Sequence, residues 1–170
     1  MPVSVTNSRL IYDALKACDV RIMSALPETW LVHLIRMAEE DPHVTLVRLA
    51  KEEEGIGISA GAHLAGVQSA LLMQNHGFFA AINPIISLAQ LYKIPLLMLI
   101  SYRGYLGEKD PWQTQGGLAT EPLLRALNIP YCLVSSPGEV ARRIKDAQTM
   151  ANASLHPVAV LLTRELMWEE

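Results

Sequence analysis

The sequence predicts an α/β domain in which helices cover a doubly wound, mainly parallel sheet of about six strands. Short apolar runs alternate with longer amphipathic stretches along all 170 residues, and crossover helices on a parallel sheet produce this pattern. Apolar residues make up 51% of the chain and charged residues 18%, which suits a well-buried core. A chain of this length is expected to form one domain, residues 1–170.

Six short runs rich in Val, Leu, Ile and Met have the composition of strands that are buried on both faces. The predicted strands are Val20–Leu26, Val44–Leu49, Ser69–Gln74, Pro95–Ser101, Tyr131–Val134 and Val158–Thr163. The predicted helices are Ser8–Ala17, Glu28–Glu40, Glu52–Ala65, Phe78–Tyr92, Glu121–Leu127 and Gly138–Ala153. The last helix follows Ser136 and Pro137, residues favoured at the N-cap and at the first helical position.

The segments that follow the predicted strands form the predicted ligand site, because open parallel sheets bind ligands beyond the carboxyl ends of their strands. Tyr102–Leu118 is glycine-rich and has no apolar periodicity, so we predict a long loop there, and such loops are usually functional. The polar residues at the strand ends are Glu28 and Thr29, then Glu52, Glu53 and Glu54, then Asn75, His76 and Gly77, then Arg103 and Gln113.

Charge and cysteine content exclude several classes of function. The formal net charge is −3 and Lys and Arg are scattered, so we expect no nucleic-acid partner. Cys18 and Cys132 match neither a disulfide framework nor a zinc spacing, which predicts no metal site in this chain and a reducing, cytoplasmic compartment. No signal peptide is indicated, and apolar runs such as Ile94–Ile100 are far shorter than the roughly 20 residues that span a membrane.

Two features of the sequence permit both a structural and a functional interpretation. Carboxylates at Glu52, Glu53 and Glu54 would stabilise the start of a helix by offsetting its dipole, and that role alone accounts for all three. His76 stands at a turn, where an imidazole can transfer a proton near neutral pH or can simply be a surface or capping residue. The remaining four histidines are isolated in the sequence and are expected to be surface or core residues.

The predicted helix after Glu52 has an unusual composition. Gly57 and Gly61 lie four residues apart within it, although a glycine inside a helix costs about 1 kcal/mol relative to alanine. Missing side chains at this spacing predict that another backbone comes close to the helix.

Three segments together resemble the pyrimidine-binding domain of the sulfopyruvate and phosphonopyruvate decarboxylases, which use thiamine diphosphate. They read VRLAKEEEGIGISAGAHLAG, ALLMQNHGFFAAINP and SYRGYLGEKDPWQTQGGLAT. The likeness extends from LPET near Leu26 to PVAVLLT at Pro157. It implies that the α/β domain has the thiamine diphosphate-binding fold of the pyrimidine type.

The resemblance assigns Glu52 a catalytic role. In the family a glutamate follows the second strand and a glycine stands nine positions later, as Glu52 and Gly61 do here. The family glutamate hydrogen-bonds N1′ of the aminopyrimidine and favours its imino tautomer, which activates the cofactor. The resemblance also makes Gln74, Asn75 and Gly77 cofactor-binding residues, whereas Glu53 and Glu54 keep their structural role.

The expected substrate site departs from the family pattern at one loop. Here MQNHGFF replaces MQNSGLGN, so His76 stands in place of a serine, and Phe78 and Phe79 in place of smaller residues. We expect His76 to be both catalytic and substrate-binding and Phe78 to line the pocket. The matching motifs add four further substrate-binding residues, which are Glu28, Thr29, Arg103 and Gln113. An anionic side chain would bind Arg103, and an apolar one would bind Phe78.

The resemblance also implies a partner subunit. A second domain with a GDG motif and a later Asn pair holds Mg²⁺ and the diphosphate in the family, and this sequence contains neither DG nor NN. We therefore expect a beta-type subunit to carry those parts in a hetero-oligomer, and the chain alone to be inactive. The expected reaction is decarboxylation of a small 2-oxo acid; the alternatives are a carboligase subunit and a non-catalytic α/β scaffold subunit.

Overall fold

The protein folds around one six-stranded sheet whose neighbouring strands are all parallel. The computed structural model describes residues 2–169, so the two ends of the predicted domain, Met1 and Glu170, lie outside the described residues. The strands are Val20–Ala25 (β1), Thr45–Arg48 (β2), Gln68–Gln74 (β3), Leu96–Ser101 (β4), Tyr131–Val134 (β5) and Pro157–Leu162 (β6). The predicted α/β class is confirmed, and each predicted strand end agrees with the structure to within one residue.

Helices cover both faces of the sheet. They are Val5–Ala17 (α1), Val32–Glu40 (α2), Glu52–Leu64 (α3), Asn75–Ala80 (α4), Ile82–Pro84 (α5), Pro111–Ala126 (α6), Val140–Ser154 (α7) and Arg164–Met167 (α8), with a π-helix at Ile85–Gln90 and a 3₁₀ turn at Pro137–Glu139. The front layer, as we call it, consists of α3, α4, α5, the π-helix and α6, and it packs on one core around Ile56, Phe78 and Leu124. The opposite layer contains α1, α2 and α7 and packs on a second core around Leu15, Leu34 and Ile144.

The sheet order β2-β1-β3-β4-β6-β5 indicates where the expected ligand crevice lies. Strand β1 is followed along the chain by β2 on one side, whereas β3 lies on its other side. The direction of winding therefore reverses between β1 and β3, and open α/β sheets bind ligands at such a point, outside the carboxyl ends of the strands.

The predicted loop Tyr102–Leu118 is wrong in its second half. Helix α6 begins at Pro111 and runs for 16 residues, so the loop proper ends at Asp110. Proline is favoured in the first turn of a helix, and Gly116 and Gly117, which indicate a loop in the sequence, are buried contact points of the helix. The predicted Glu121–Leu127 helix is only the end of α6.

The predicted Phe78–Tyr92 helix is also wrong, because the segment is divided into α4, α5 and the π-helix. Pro84 has no backbone N–H and cannot donate to the preceding turn, which interrupts a regular helix. The predicted Glu28–Glu40 helix begins later, at Val32. Ser136 is an N-cap as predicted, but of the 3₁₀ turn that leads into α7, where its backbone N–H donates to Glu139 Oε1 over 3.2 Å in a capping box; α7 itself begins at Val140 and not at the predicted Gly138.

Within residues 2–169, no helix combines the length and the apolar character needed to cross a membrane.

Candidate active site at the carboxyl edge of the sheet

Side chains from four strand ends meet at the carboxyl edge of the sheet. Glu28 follows β1, Glu52 opens α3 after β2, Asn75 to Gly77 follow β3 and Arg103 follows β4. Contacts join them in a row, because Glu52 touches Gly77, Asn75 bonds the carbonyl of Arg103, and the Arg103 guanidinium lies beside Glu28. The edge thus collects most of the polar residues that the sequence singled out.

Glu52 differs from the two glutamates that follow it. Its side chain is 8% exposed, and within the described residues its carboxylate accepts no hydrogen bond and forms no ion pair. Glu53 pairs with Lys51 over 3.7 Å, and Glu54 accepts hydrogen bonds from two backbone amides at the start of α3, at 2.8 and 3.3 Å. Glu53 and Glu54 therefore serve the helix start, and the Glu52 carboxylate remains free.

Asn75 joins three segments of the site. Its side chain is fully buried, and Nδ2 donates to the Arg103 carbonyl over 2.8 Å and to Thr120 Oγ1 over 3.1 Å. The end of β3, the loop after β4 and helix α6 are thereby held together. Sequence reasoning did not single out Thr120, although it ends the GGLAT segment that carries part of the resemblance.

His76 and Phe78 occupy different environments. The exposed His76 ring meets Phe79 edge to face, with centroids 5.6 Å apart. Phe78 has 0% exposure and lies in the core beneath the front layer, so the expectation that it lines the pocket is corrected. One turn of α4 cannot aim neighbouring side chains the same way, and Phe79, not Phe78, stands beside the histidine.

Arg103 is flanked by two carboxylates and an aromatic ring. Its guanidinium carbon stands 5.1 Å from the centroid of the Trp30 ring, Nη1 is 3.7 Å from Glu28 Oε2 and Nη2 is 3.9 Å from Asp110 Oδ2. These distances are too long for direct hydrogen bonds, and the buried Nε has no partner in the described chain. Donors of the guanidinium thus remain available beside two carboxyl groups.

Glu28 lies beneath this cation and is nearly inaccessible to solvent, with a side-chain exposure of 8%. Burial raises the pKa of Glu28, while the Trp30 backbone amide, which donates to Oε2 over 3.0 Å, and the Ser101 hydroxyl and Arg103 act in the opposite direction. Burial prevails. Oε1 has no hydrogen-bond partner among residues 2–169, so the carboxyl group retains one free oxygen.

Glu108 shapes the loop that carries Arg103, and sequence reasoning missed it. The Gly104 amide donates to Oε2 over 3.0 Å, and those of Lys109 and Asp110 donate to Oε1 over 2.9 and 3.2 Å. Burial by itself would raise the pKa of Glu108, but these bonds and Arg103 lower it overall. Its carboxylate accepts hydrogen bonds from backbone amides of the loop, which have no partners in a helix or a sheet.

The other predicted site residues are less constrained. Gln113 lies in the first turn of α6, and its buried Oε1 has no partner within residues 2–169. Gln74 is the half-buried last residue of β3, and Thr29 is exposed on the turn after β1.

Two other kinds of site find no support in the described part of the chain. Within it, no group of three or more His, Cys, Asp or Glu side chains is placed to hold a metal ion. Gly57 to Gly61 spell G-x-S-x-G, but Ser59 is buried inside α3 and not at the strand-to-helix turn that exposes a nucleophilic serine.

Comparison with known proteins identifies relatives that are similar to nearly the whole chain. No family model matches the chain. It is 39% identical to sulfopyruvate decarboxylase subunit alpha of Methanococcus maripaludis, over 95% of this chain and 96% of that protein. It is also 39% identical to the subunit of the same name from Methanocaldococcus jannaschii, over 96% of each chain.

In longer relatives the similarity to this chain covers only part of their length. Sulfopyruvate decarboxylase of Methanosarcina acetivorans is 29% identical over 76% of this chain, and the match spans only 33% of that protein. Among solved structures, 2-oxoglutarate:ferredoxin oxidoreductase from Magnetococcus marinus, with 2-oxoglutarate, coenzyme A and succinyl-CoA bound, has the same fold with a TM-score of 0.73 and 18% identity. That match covers 95% of this chain and 29% of the oxidoreductase chain.

Proposed function

Because the chain belongs to the family of sulfopyruvate decarboxylase alpha subunits, we propose that residues 1–170 are the pyrimidine-binding subunit of a thiamine diphosphate-dependent 2-oxo acid decarboxylase. The observation that carries this proposal is the buried Glu52 carboxylate, which has no partner within the described chain and lies against Gly77.

The residues at Glu52 fit an aminopyrimidine ring. A carboxyl group that is to bond one ring nitrogen must be largely removed from water and free of competing partners, and Glu52 is 8% exposed and has no hydrogen-bond or ion-pair partner within the described chain. A β-carbon at Gly77 would lie 2.5 Å from Glu52 Oε1, so a glycine is needed beside the carboxylate. We propose Gln74, Asn75 and Gly77 as the surrounding cofactor contacts, with Asn75 acting mainly by holding its segment in place.

The division of labour follows from this placement. When bound, thiamine diphosphate would supply the electron sink that accepts the electron pair as CO₂ leaves the substrate. Glu52 would hold or release a proton at Oε1, next to the pyrimidine nitrogen. His76, exposed at the same edge, would exchange a proton with the substrate.

We assign the substrate's anionic end to Arg103. A guanidinium binds carboxylate, sulfonate or phosphonate oxygens through paired, charge-assisted hydrogen bonds, and the loose ion pairs of Arg103 leave donors for them. Glu28 lies beside this position, and we propose Gln113 and Thr29 as further substrate contacts, for a substrate like sulfopyruvate or phosphonopyruvate.

A beta-type partner completes the assembly in this proposal. The chain contains neither a DG nor an NN pair, so the Mg²⁺ and the diphosphate would be held by another polypeptide in a hetero-oligomer. The Methanosarcina relative, of which the match spans 33%, has ample further sequence for such a domain. The two cysteines are free thiols, which supports a cytoplasmic location.

The test compares Glu52→Gln with Glu53→Gln, an adjacent control outside the proposed cofactor contacts. Each variant is co-expressed with the partner, and the exchange of the cofactor C2 proton is followed by NMR beside CO₂ release from sulfopyruvate. Glu52→Gln should slow exchange by roughly 100-fold or more, because the amide cannot trade a proton with the ring, and Glu53→Gln should leave exchange at the parent rate.

Calorimetry of the chain alone with Mg²⁺ and cofactor should show little heat. Tight binding without a partner, or parent exchange in Glu52→Gln, would contradict the proposal. Product analysis separates release of the aldehyde from carboligation.

A further inference from the structure

Helix α6 meets the His76 turn at a residue without a side chain. A β-carbon at Gly116 would lie 2.6 Å from His76 Cε1 and 2.8 Å from Nε2. Real β-carbons do not approach other atoms this closely, so the imidazole rests directly on the helix backbone. The place of the ring therefore depends on the absence of a side chain at Gly116.

The same two segments are joined a second time, by hydrogen bonds. Thr120 lies one helical turn after Gly116, and its hydroxyl donates to the Gly116 carbonyl over 2.7 Å and accepts from Asn75 Nδ2 over 3.1 Å. Thr120 and Asn75 have no exposed surface. Because Asn75 immediately precedes His76, this bond sets the position of Gly116 relative to the histidine.

We propose that Gly116 and Thr120 are positioning residues for His76: Gly116 provides the surface on which the imidazole lies, and Thr120 keeps α6 in the register that places Gly116 beneath it. The inference rests on the proposed function, in which His76 exchanges a proton with the substrate. A serine at position 76, as in the family motif, is too short to need this surface, so the arrangement suits the histidine of this chain.

The adjacent Gly117 shows why Gly116 is open to a test. A β-carbon at Gly117 would overlap the carbonyl of Gly104, and two backbones cannot separate without a shift of the loop. At Gly116 the two closest obstacles are atoms at the end of the exposed His76 side chain, which can rotate away, and the third, Asn75 Nδ2 at 3.2 Å, needs to give by only a few tenths of an ångström. Gly116→Ala should therefore fold and displace the imidazole.

The first measurement is independent of catalysis. The full chain is labelled with ¹³C-histidine, and the resonance of His76 is identified by its loss in His76→Ser. In Gly116→Ala the Cε1–H signal of His76 should shift while the other four histidines stay in place. Gly138→Ala is the matched control, because a β-carbon there meets nothing within 4 Å. An unmoved His76 signal in a folded Gly116→Ala chain would overturn the proposal.

The second measurement is a double-mutant cycle in the complex with the partner subunit. Gly116→Ala should lower kcat/KM by about 10- to 100-fold in the parent, since small misplacements of a catalytic group have effects of this size. In the His76→Ser background the same change should lower kcat/KM by about twofold or less. Independent effects of two substitutions would add, whereas the effect of Gly116→Ala should largely disappear once the histidine on which it acts is gone. Thr120→Val should act like Gly116→Ala, and Thr120→Ser, which keeps the hydroxyl, should restore the parent rate.

Equal losses from Gly116→Ala in both backgrounds would overturn the positioning role. A shifted His76 signal combined with parent activity in His76→Ser has a different meaning. It would leave the contact with Gly116 intact and contradict the proposed proton transfer by His76.

Discussion

The carboxylate of Glu52 lies against the bare α-carbon of Gly77. A β-carbon at Gly77 would stand 2.5 Å from Oε1 and 2.6 Å from both Cδ and Cγ of Glu52. The two residues lie in the first turns of different helices, α3 and α4, which follow strands that do not neighbour each other in the sheet. A glycine in the first turn of one helix is thus required by a carboxylate at the start of another.

This contact leads to a prediction for Gly77→Ala. The added methyl group must displace the Glu52 carboxylate, and overpacking of this kind commonly lowers the free energy of unfolding by about 1–3 kcal/mol. We expect that loss in urea unfolding, together with slower exchange of the cofactor C2 proton in the complex. The control is Gly138→Ala, which has open space around the new methyl group. Parent exchange in Gly77→Ala would show that the position of Glu52 is not critical.

The outer face of α3 predicts where the partner makes contact. Gly57 and Gly61 are exposed, and β-carbons there would meet nothing within 4 Å. Within the described chain, therefore, no other backbone lies close to the two glycines, although their spacing predicts one. We predict that Gly61→Leu weakens assembly by about 1–3 kcal/mol while the isolated chain stays folded. Sedimentation of the mixed subunits tests this, with Gly138→Leu as the control. Unchanged assembly would place the interface elsewhere.

Removal of the Arg103 cation should weaken the binding of anionic substrates much more than that of uncharged ones. Hydrogen bonds to charged groups contribute about 1.5–3 kcal/mol, so Arg103→Ala should raise KM for sulfopyruvate by about 10- to 100-fold and change it little for an uncharged 2-oxo acid. Steady-state kinetics in the complex measure both. Arg103→Lys keeps the charge without the paired donors and should be intermediate. Equal effects on both substrates would assign specificity to the partner.

Glu28 should make the stability of the chain depend on pH. Burial raises the pKa of its carboxyl group above the ordinary value, so the folded state retains a proton that the unfolded state releases above about pH 4.3. The Glu28 contribution to the free energy of unfolding therefore falls as pH rises from there through the folded pKa.

Replacement of Glu28 by glutamine removes this titration. The stability of Glu28→Gln relative to the parent should increase from pH 4 to pH 7, as measured by urea unfolding at both values. Glu53→Gln, which makes the same exchange at a side chain that is 43% exposed, is measured beside it as the matched control. A constant difference between Glu28→Gln and the parent would contradict the raised pKa.

Local sequence was sufficient for the strands and insufficient for α6. The strands could be predicted because both faces of a buried strand such as Leu96–Ser101 require mainly apolar residues, and that composition is visible in the sequence. Gly116 and Gly117 indicate a loop by propensity, but each is a place where α6 touches His76 or the Gly104 backbone. Tertiary contact thus overrides the local preference, and propensity reasoning cannot register it.

Local patterns in the chain were enough to predict the α/β class, the strand ends to within one residue and the position of Glu52 at the start of a helix, because burial periodicity and helix-start chemistry are local properties. The folded arrangement was needed to learn that Phe78 belongs to the core while Phe79 contacts His76, and that Arg103 lies between Glu28 and Asp110. The contact between Arg103 and Glu28 joins two loops that are far apart in the chain, and the burial of Phe78 depends on the helices and strands that pack around it. Which side chains of separate loops meet depends on how the whole sheet is packed, and no local pattern encodes it.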